Sequence, residues 1–195
     1  MTKFILHGGE TSIPCENNDS YYKEILASTP GPAKILLVYF AIAKERWPEN
    51  FNTHKKLFLA QAGNKKIEFA LASPETREFA KQIKNNGVIF IRGGDTLMLQ
   101  RQLEKVANFG DLLKGKVVAG SSAGALVLAK YYYNQDYGKI LEGFDILHVK
   151  IITHYLSPKK YAATSGEDKL RKLENYKEKL PVCAIKETEH IIIEK

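Results

Sequence analysis

Short apolar runs alternate with longer stretches of helical periodicity along most of the chain. Residues 3–7 (KFILH) form an apolar run that ends in Gly8-Gly9. Residues 19–28 then place apolar side chains at helical spacing, and Thr29-Pro30-Gly31-Pro32 stops that helix. Residues 34–41, KILLVYFA, are apolar throughout, the pattern of a strand covered on both faces. The same reading predicts a helix over 51–61, a strand over 66–71, and a helix opened by Ser73-Pro74-Glu75 that runs to Asn85-Asn86-Gly87. A strand over 88–91 leads into Gly93-Gly94-Asp95 and a helix reaching about residue 108, followed by a strand over 116–119. Strands and helices alternating at this spacing imply an α/β fold, a three-layer sandwich around a mainly parallel sheet. After a glycine turn the run ALVLAKYYY is compatible with a helix. Residues 146–153 read as a strand, 165–179 as a charged amphipathic helix, and 182–185 and 190–194 as two closing strands.

Composition narrows the class. The 195 residues fit one domain, 1–195, and 44% hydrophobic with 26% charged residues is ordinary for a globular protein. No run approaches the roughly twenty apolar residues of a membrane span. MTKFILHGGE reaches glycine too early for a secretory h-region, so cytoplasmic residence is expected. Cys15 and Cys183 are the only cysteines, too few for a disulfide framework, and no His/Cys cluster has metal-ligand spacing. Two reduced thiols, no metal and no cofactor are expected. The formal charge of +7 and pI near 9.2 raise nucleic acid as a partner. Lys55-Lys56, Lys65-Lys66 and Lys159-Lys160 are scattered, however, and KLRKLENYKEK mixes acids with bases as a solvated helix face does. Neither nucleic acid nor membrane is expected as a partner.

The chemistry concentrates in VVAGSSAGA, residues 117–125, where an apolar strand breaks into a small-residue turn and a helix resumes. A G-x-S-x-G turn holds serine in a strained backbone position with its hydroxyl clear of the sheet. Ser122 has glycine at both minus two and plus two, whereas Ser121 has Ala119 and Ala123 there, so Ser122 is the candidate nucleophile. A glycine-rich connection that only cradles an anion is the competing reading. In an open parallel sheet the site lies beyond the carboxyl ends of the strands. That edge receives His7-Gly8-Gly9, residues 41–46, Ser73, residues 92–96, Ser122 and, if the strand before it is parallel, His154-Tyr155. A nucleophilic serine needs a neutral imidazole. His54 falls within a helix, while His148 and His190 begin strands and fall at the wrong edge if those strands run parallel. His154 and His7 remain, with His7 better suited to a structural hydrogen bond. The amides of Gly93, Gly94 and Ala123 are candidate oxyanion donors. Asp95 and Tyr155, delivered to the same edge, are candidate substrate contacts.

The order GGDT, GSSAGA, THY and AIKE resembles the peptidase E family of serine peptidases, which includes aspartyl dipeptidases and, more distantly, cyanophycinases. The resemblance covers nearly the whole chain. It implies a fold similar to class I glutamine amidotransferases, also flavodoxin-like, with serine where those enzymes carry cysteine. It also implies Ser122 as nucleophile, His154 as base and Glu187 as the acid that orients the imidazole. Glu189, Asp136 and Asp145 are the alternative acids. The implied substrate is a small peptide; a monomer or homodimer is expected.

Three departures from the family pattern stand out. Arg92 replaces a frequent glycine at the edge of the oxyanion loop. Lys169, in GEDKLRK, takes the position where aspartyl dipeptidases carry an aspartate-reading arginine, and Arg171 lies one turn away. Lysine lacks the bidentate fork of arginine, which argues against strict N-terminal aspartyl preference. The chain also ends soon after its last apolar run, which predicts an open edge strand and a dimer contact. The competing functions are a non-catalytic, anion-binding member of the same fold and an α/β-hydrolase esterase. The esterase is disfavoured by chain length and by that family's order of acid before histidine. A glutamine amidotransferase is disfavoured because neither cysteine occupies the turn.

Overall fold

The computed structural model describes residues 1–157 and 166–195. Among them, six strands make the main sheet: β1 (Lys3–His7), β2 (Ala33–Val38), β3 (Ile67–Leu71), β4 (Val88–Ile91), β5 (Val117–Ser121) and β10 (His190–Glu194). Their order is β10-β1-β5-β4-β2-β3, parallel throughout except for antiparallel β10 against β1. Ile35 to Val38 and Val88 to Ile91 are fully buried, as a parallel sheet covered on both faces requires. The helices are α1 (Glu16–Ala27), α2 (Trp47–Ala60), α3 (Thr76–Asn85), α4 (Thr96–Leu103), α5 (Phe109–Leu112), α6 (Ala123–Leu126) and α7 (Gly166–Glu174). α1 packs on β1 and α2, α2 on β3, and α3 on β2 and α5.

A second sheet, in the order β7-β6-β8-β9, contains β6 (Ala129–Asn134), β7 (Lys139–Glu142), β8 (Leu147–Thr153) and β9 (Val182–Ile185). β8 runs parallel to β6 and β9, and β7 pairs antiparallel with β6. β6 to β9 thus form a separate sheet, and the long helix expected after Ser122 is corrected. α6 is one turn long, and AKYYYN is a strand. The cause is the alternation of faces along a strand. Tyr132 enters the main core, while Tyr131 and Tyr133 join Ile152 and Leu173 in a second core under α7, so each ring is buried. α7 ends at Glu174, before the expected limit of 179. Ser165, its expected start, and Lys159-Lys160 lie outside the described residues.

His190 also needs correction. Because β10 is antiparallel, its first residue pairs with His7 and lies at the carboxyl edge, not the opposite one.

Candidate active site

Ser122 follows the last residue of β5 and immediately precedes α6. Its φ of 50° and ψ of −114° lie where a side-chain-bearing residue is strained. The flanking glycines allow that turn by close approach. A Cβ on Gly120 would meet the Gly124 carbonyl oxygen at 2.5 Å, and one on Gly124 would meet the Ile91 carbonyl oxygen at 2.1 Å.

The Ser122 hydroxyl lies 3.0 Å from His154 Nε2, and His154 Nδ1 lies 2.8 Å from Glu187 Oε1. A carboxylate only accepts, so Nδ1–H donates to Glu187 and Nε2 is free to accept the serine proton. Ser157 Oγ–H donates to the same carboxylate oxygen at 2.8 Å. His154 and Glu187 are delivered by the chain just beyond β8 and β9, which run parallel.

Three successive carbonyls of β1 and its loop tie these segments together. His7 accepts from the Ser122 amide at 2.9 Å, Gly8 from the His154 amide at 2.9 Å and Gly9 from the Thr188 amide at 3.0 Å. Gly9 also lies flat against the imidazole, since a Cβ there would fall 2.2 Å from His154 Cε1.

His7 itself is structural. Its Nδ1 accepts from the Gly9 amide at 3.0 Å, which leaves Nε2–H to donate to Asn18 Oδ1 at 2.8 Å. Burial pushes its pKa down to about 4. His54 is likewise buried, bonded to Tyr39 and the Asn50 carbonyl, and held at about 4 chiefly by desolvation.

The oxyanion candidates differ from their neighbours in their hydrogen bonding. The amides of Arg92 and Asp95 donate to the carbonyls of Val38 and Ala41. Those of Gly93, Gly94 and Ala123 have no acceptor among the described residues. A Cβ on Gly93 would come 2.8 Å from Ser122 Cβ, so this loop presses directly on the serine.

The remaining candidates divide. Asp95 caps α4 through the Met98 amide at 2.9 Å. Tyr155 packs into the second core. Lys169 is buried and donates to Gln135 Oε1 at 2.9 Å, and Gln135 Nε2 donates to the Thr153 and His154 carbonyls. Arg171 is exposed on α7. Asp145 engages His148 at 2.9 Å, so of the alternative acids it is committed elsewhere, and Glu189 forms an ion pair with Lys186 at 3.7 Å. Asp136 borders a narrow crevice with Asn134, Gln135 and Ser122 that holds only about 10 Å³.

A larger cavity of about 280 Å³ opens on the other side, lined by Ser122, His154, Gly93, Glu10, Arg46 and Arg92. Arg92 is fixed there by a 2.6 Å bond from Nη1 to the Gly93 carbonyl. Glu10, Ser157 and Gln135 carry no motif of their own, and only their neighbours Gly8-Gly9, His154 and Asn134 mark them in sequence. Ligand atoms of Glu10, His154 and Glu187 lie within 4.8 Å of one another. Both imidazole nitrogens, however, are already engaged by Ser122 and Glu187. A cavity of about 570 Å³ around Met1, Thr2, Asn108 and Lys195 lies at the amino edge of the parallel strands. It is the wrong edge for the chemistry of this fold class.

Residues 4–195 match the model of Peptidase family S51. No curated protein matches. Among solved structures, the chain is similar to a peptidase from an acI-B1 Actinobacterium, with a TM-score of 0.65 at 22% identity over 99% of this chain and 83% of that one. It is also similar to a protein provisionally described as peptidase E from Listeria monocytogenes EGD-e, with a TM-score of 0.70 at 17% identity over 99% of this chain and 94% of that one. At these identities the likeness bears on the fold. It fits the mixed α/β architecture with its mostly parallel central sheet.

Proposed function

The chain belongs to peptidase family S51, and from that premise we propose that it is a serine peptidase hydrolysing small peptides, dipeptides above all. The observation that carries this reading is the continuous hydrogen-bond chain from Ser122 through His154 to Glu187. Ser122 Oγ attacks the scissile carbonyl while His154 Nε2 takes its proton. The tetrahedral oxyanion is held by the amides of Gly93 or Gly94 and of Ala123. His154 then donates its proton to the departing amine, leaving Ser122 esterified to the acyl residue. Water, deprotonated by His154, attacks that ester and releases the acid and the free serine. Glu187 keeps the imidazole in the Nδ1–H tautomer and stabilises imidazolium without taking the proton.

An N-terminal aspartyl preference would place the acidic side chain toward Asn134, Gln135 and, behind them, Lys169. Asn134 Nδ2 is buried without an acceptor among the described residues, which makes it a donor for such a group. The crevice there would have to widen to admit it, because its volume of about 10 Å³ is room for roughly one water and not for a carboxylate side chain. Cytoplasmic residence and a monomeric or homodimeric state complete the proposal.

The second reading, a non-catalytic anion-binding protein, is favoured by the two arginines of the cavity, and it leaves the Ser-His-Glu chain without a role. Hydrolysis of a dipeptide panel with aspartyl, glutamyl, neutral and basic first residues separates the two. The peptidase reading predicts turnover by the wild type that falls at least about a thousandfold in Ser122→Ala. Absence of turnover for every member would favour the binding protein.

A further inference from the structure

We infer that Arg46 and Arg92 form an anion subsite that takes the α-carboxylate of the residue released from the substrate. This rests on the serine-peptidase reading and names what limits its substrates.

Arg46 and Arg92 both line the cavity of about 280 Å³ that also contains Ser122 and His154. That volume lies just under the ~300 Å³ at which small-molecule sites begin, so the space suits a short peptide. Neither arginine forms an ion pair with a carboxylate among the described residues. Burial first, and then repulsion by Arg46, pull the Arg92 pKa below the ordinary guanidinium value. Glu10 is the one carboxylate lining the cavity, and its attraction for Arg92 is the weakest of the influences on that group. Two cations against one anion leave a surplus positive charge beside the half-buried Arg92. Such a charge is unfavourable until an anion neutralises it. The planar fork of arginine is suited to a carboxylate.

The chemistry of a dipeptide decides which carboxylate. When its carbonyl carbon meets Ser122 Oγ, the scissile nitrogen must lie near His154 Nε2, which later protonates it. The free carboxylate then follows within one residue length, about 3.5 Å along the chain. Arg92 is held in register with this position, because the Gly93 carbonyl that it bonds belongs to the proposed oxyanion loop. In a longer peptide the carboxylate becomes a neutral amide and further chain must pass the two arginines. The pair therefore selects dipeptides by their free end, independently of the first residue. Lys169 does not line this cavity.

Calorimetry on Ser122→Ala tests the subsite without relying on catalysis. The probes are Leu-Ala and Leu-Ala amide, which share an ammonium and differ only in the terminal carboxylate. The acid should bind at least about tenfold more tightly than the amide, the range of a charge-assisted hydrogen bond. That ratio should drop below about twofold when Arg46→Gln or Arg92→Gln is added. Arg46 is exposed, so its substitution serves if Arg92→Gln disturbs the loop.

Equal binding of acid and amide, failure of the acid to bind, or a preference that survives both substitutions would overturn the subsite. A ratio of Asp-Ala amide to Asn-Ala amide that depends on Arg46 and Arg92, with none for Leu-Ala over its amide, would also overturn it. That pattern would assign the arginines to the acyl side. Fluorophosphonate labelling of the wild type separates this from failure of the peptidase reading. A labelled Ser122 with no acid preference removes only the subsite, whereas an inert Ser122 removes the peptidase.

Discussion

His154 is held from several sides. Its ring lies against Gly9, its Nδ1–H is committed to Glu187, and its amide is bonded to the Gly8 carbonyl. Its own φ of 51° is one a side-chain-bearing residue seldom adopts. The imidazole therefore depends on the absence of a side chain at position 9. Gly9→Ala forces a Cβ to within 2.2 Å of the ring at a φ of +125°, and the ring must move. A displacement of about 1 Å at a catalytic group lowers rates about a hundredfold. Gly9→Ala should therefore remain folded by circular dichroism yet hydrolyse dipeptides about a hundredfold more slowly.

At this scale the sequence was legible where small residues surround a reactive one. Ser122 is marked by Gly120 and Gly124, and those glycines meet backbone at 2.5 and 2.1 Å. Glu187 carries no comparable mark, because KETE has the composition of any solvated turn. Only the family resemblance pointed to it.

Among the elements, β1 and its loop act as the organiser. His7, Gly8 and Gly9 offer consecutive carbonyls to the amides of Ser122, His154 and Thr188. The two sheets meet there, and Ser122, His154 and Glu187 follow β5, β8 and β9. The pattern of apolar runs located those strands, since each carries a short, mainly apolar run. It failed at AKYYYN because an aromatic run reads equally as helix until two separate cores claim alternate rings. It also missed β7, whose KILE is only half-buried and lacks a strong period.

α7 is secured from the second sheet by Lys150. Its side chain is fully buried, and Nζ donates to the carbonyls of Glu174 and Tyr176 at 2.9 and 2.7 Å, capping the helix C-terminus. Lys150→Met keeps the stem and removes the donor. It should lower stability by about 1–3 kcal/mol in urea unfolding, by a lower midpoint with unchanged slope.

For the whole molecule, two buried histidines set the acid limit. His7 and His54 each fall from 6.5 to about 4 through desolvation. Below pH 6.5 the unfolded chain binds protons that the folded chain refuses, so stability falls as pH drops toward 4 and is unaffected by these groups above 6.5. The loss is on the order of 3 kcal/mol for each histidine by pH 4. Urea midpoints should therefore be flat from pH 7 to 8 and decline steeply from 6 to 4. Either variant, His7→Gln or His54→Gln, should shallow that decline. Among the described residues, no helix is long and apolar enough to cross a membrane. Among the described residues, β10 forms one edge of the main sheet.

The central claim is that Ser122 is a nucleophile activated by His154. Mass spectrometry of the intact chain after exposure to a fluorophosphonate, followed by peptide mapping, tests it most directly. The account predicts one adduct, on Ser122, formed at least about a hundredfold more slowly in His154→Ala. An unmodified Ser122, or an adduct that forms equally fast without His154, would contradict it.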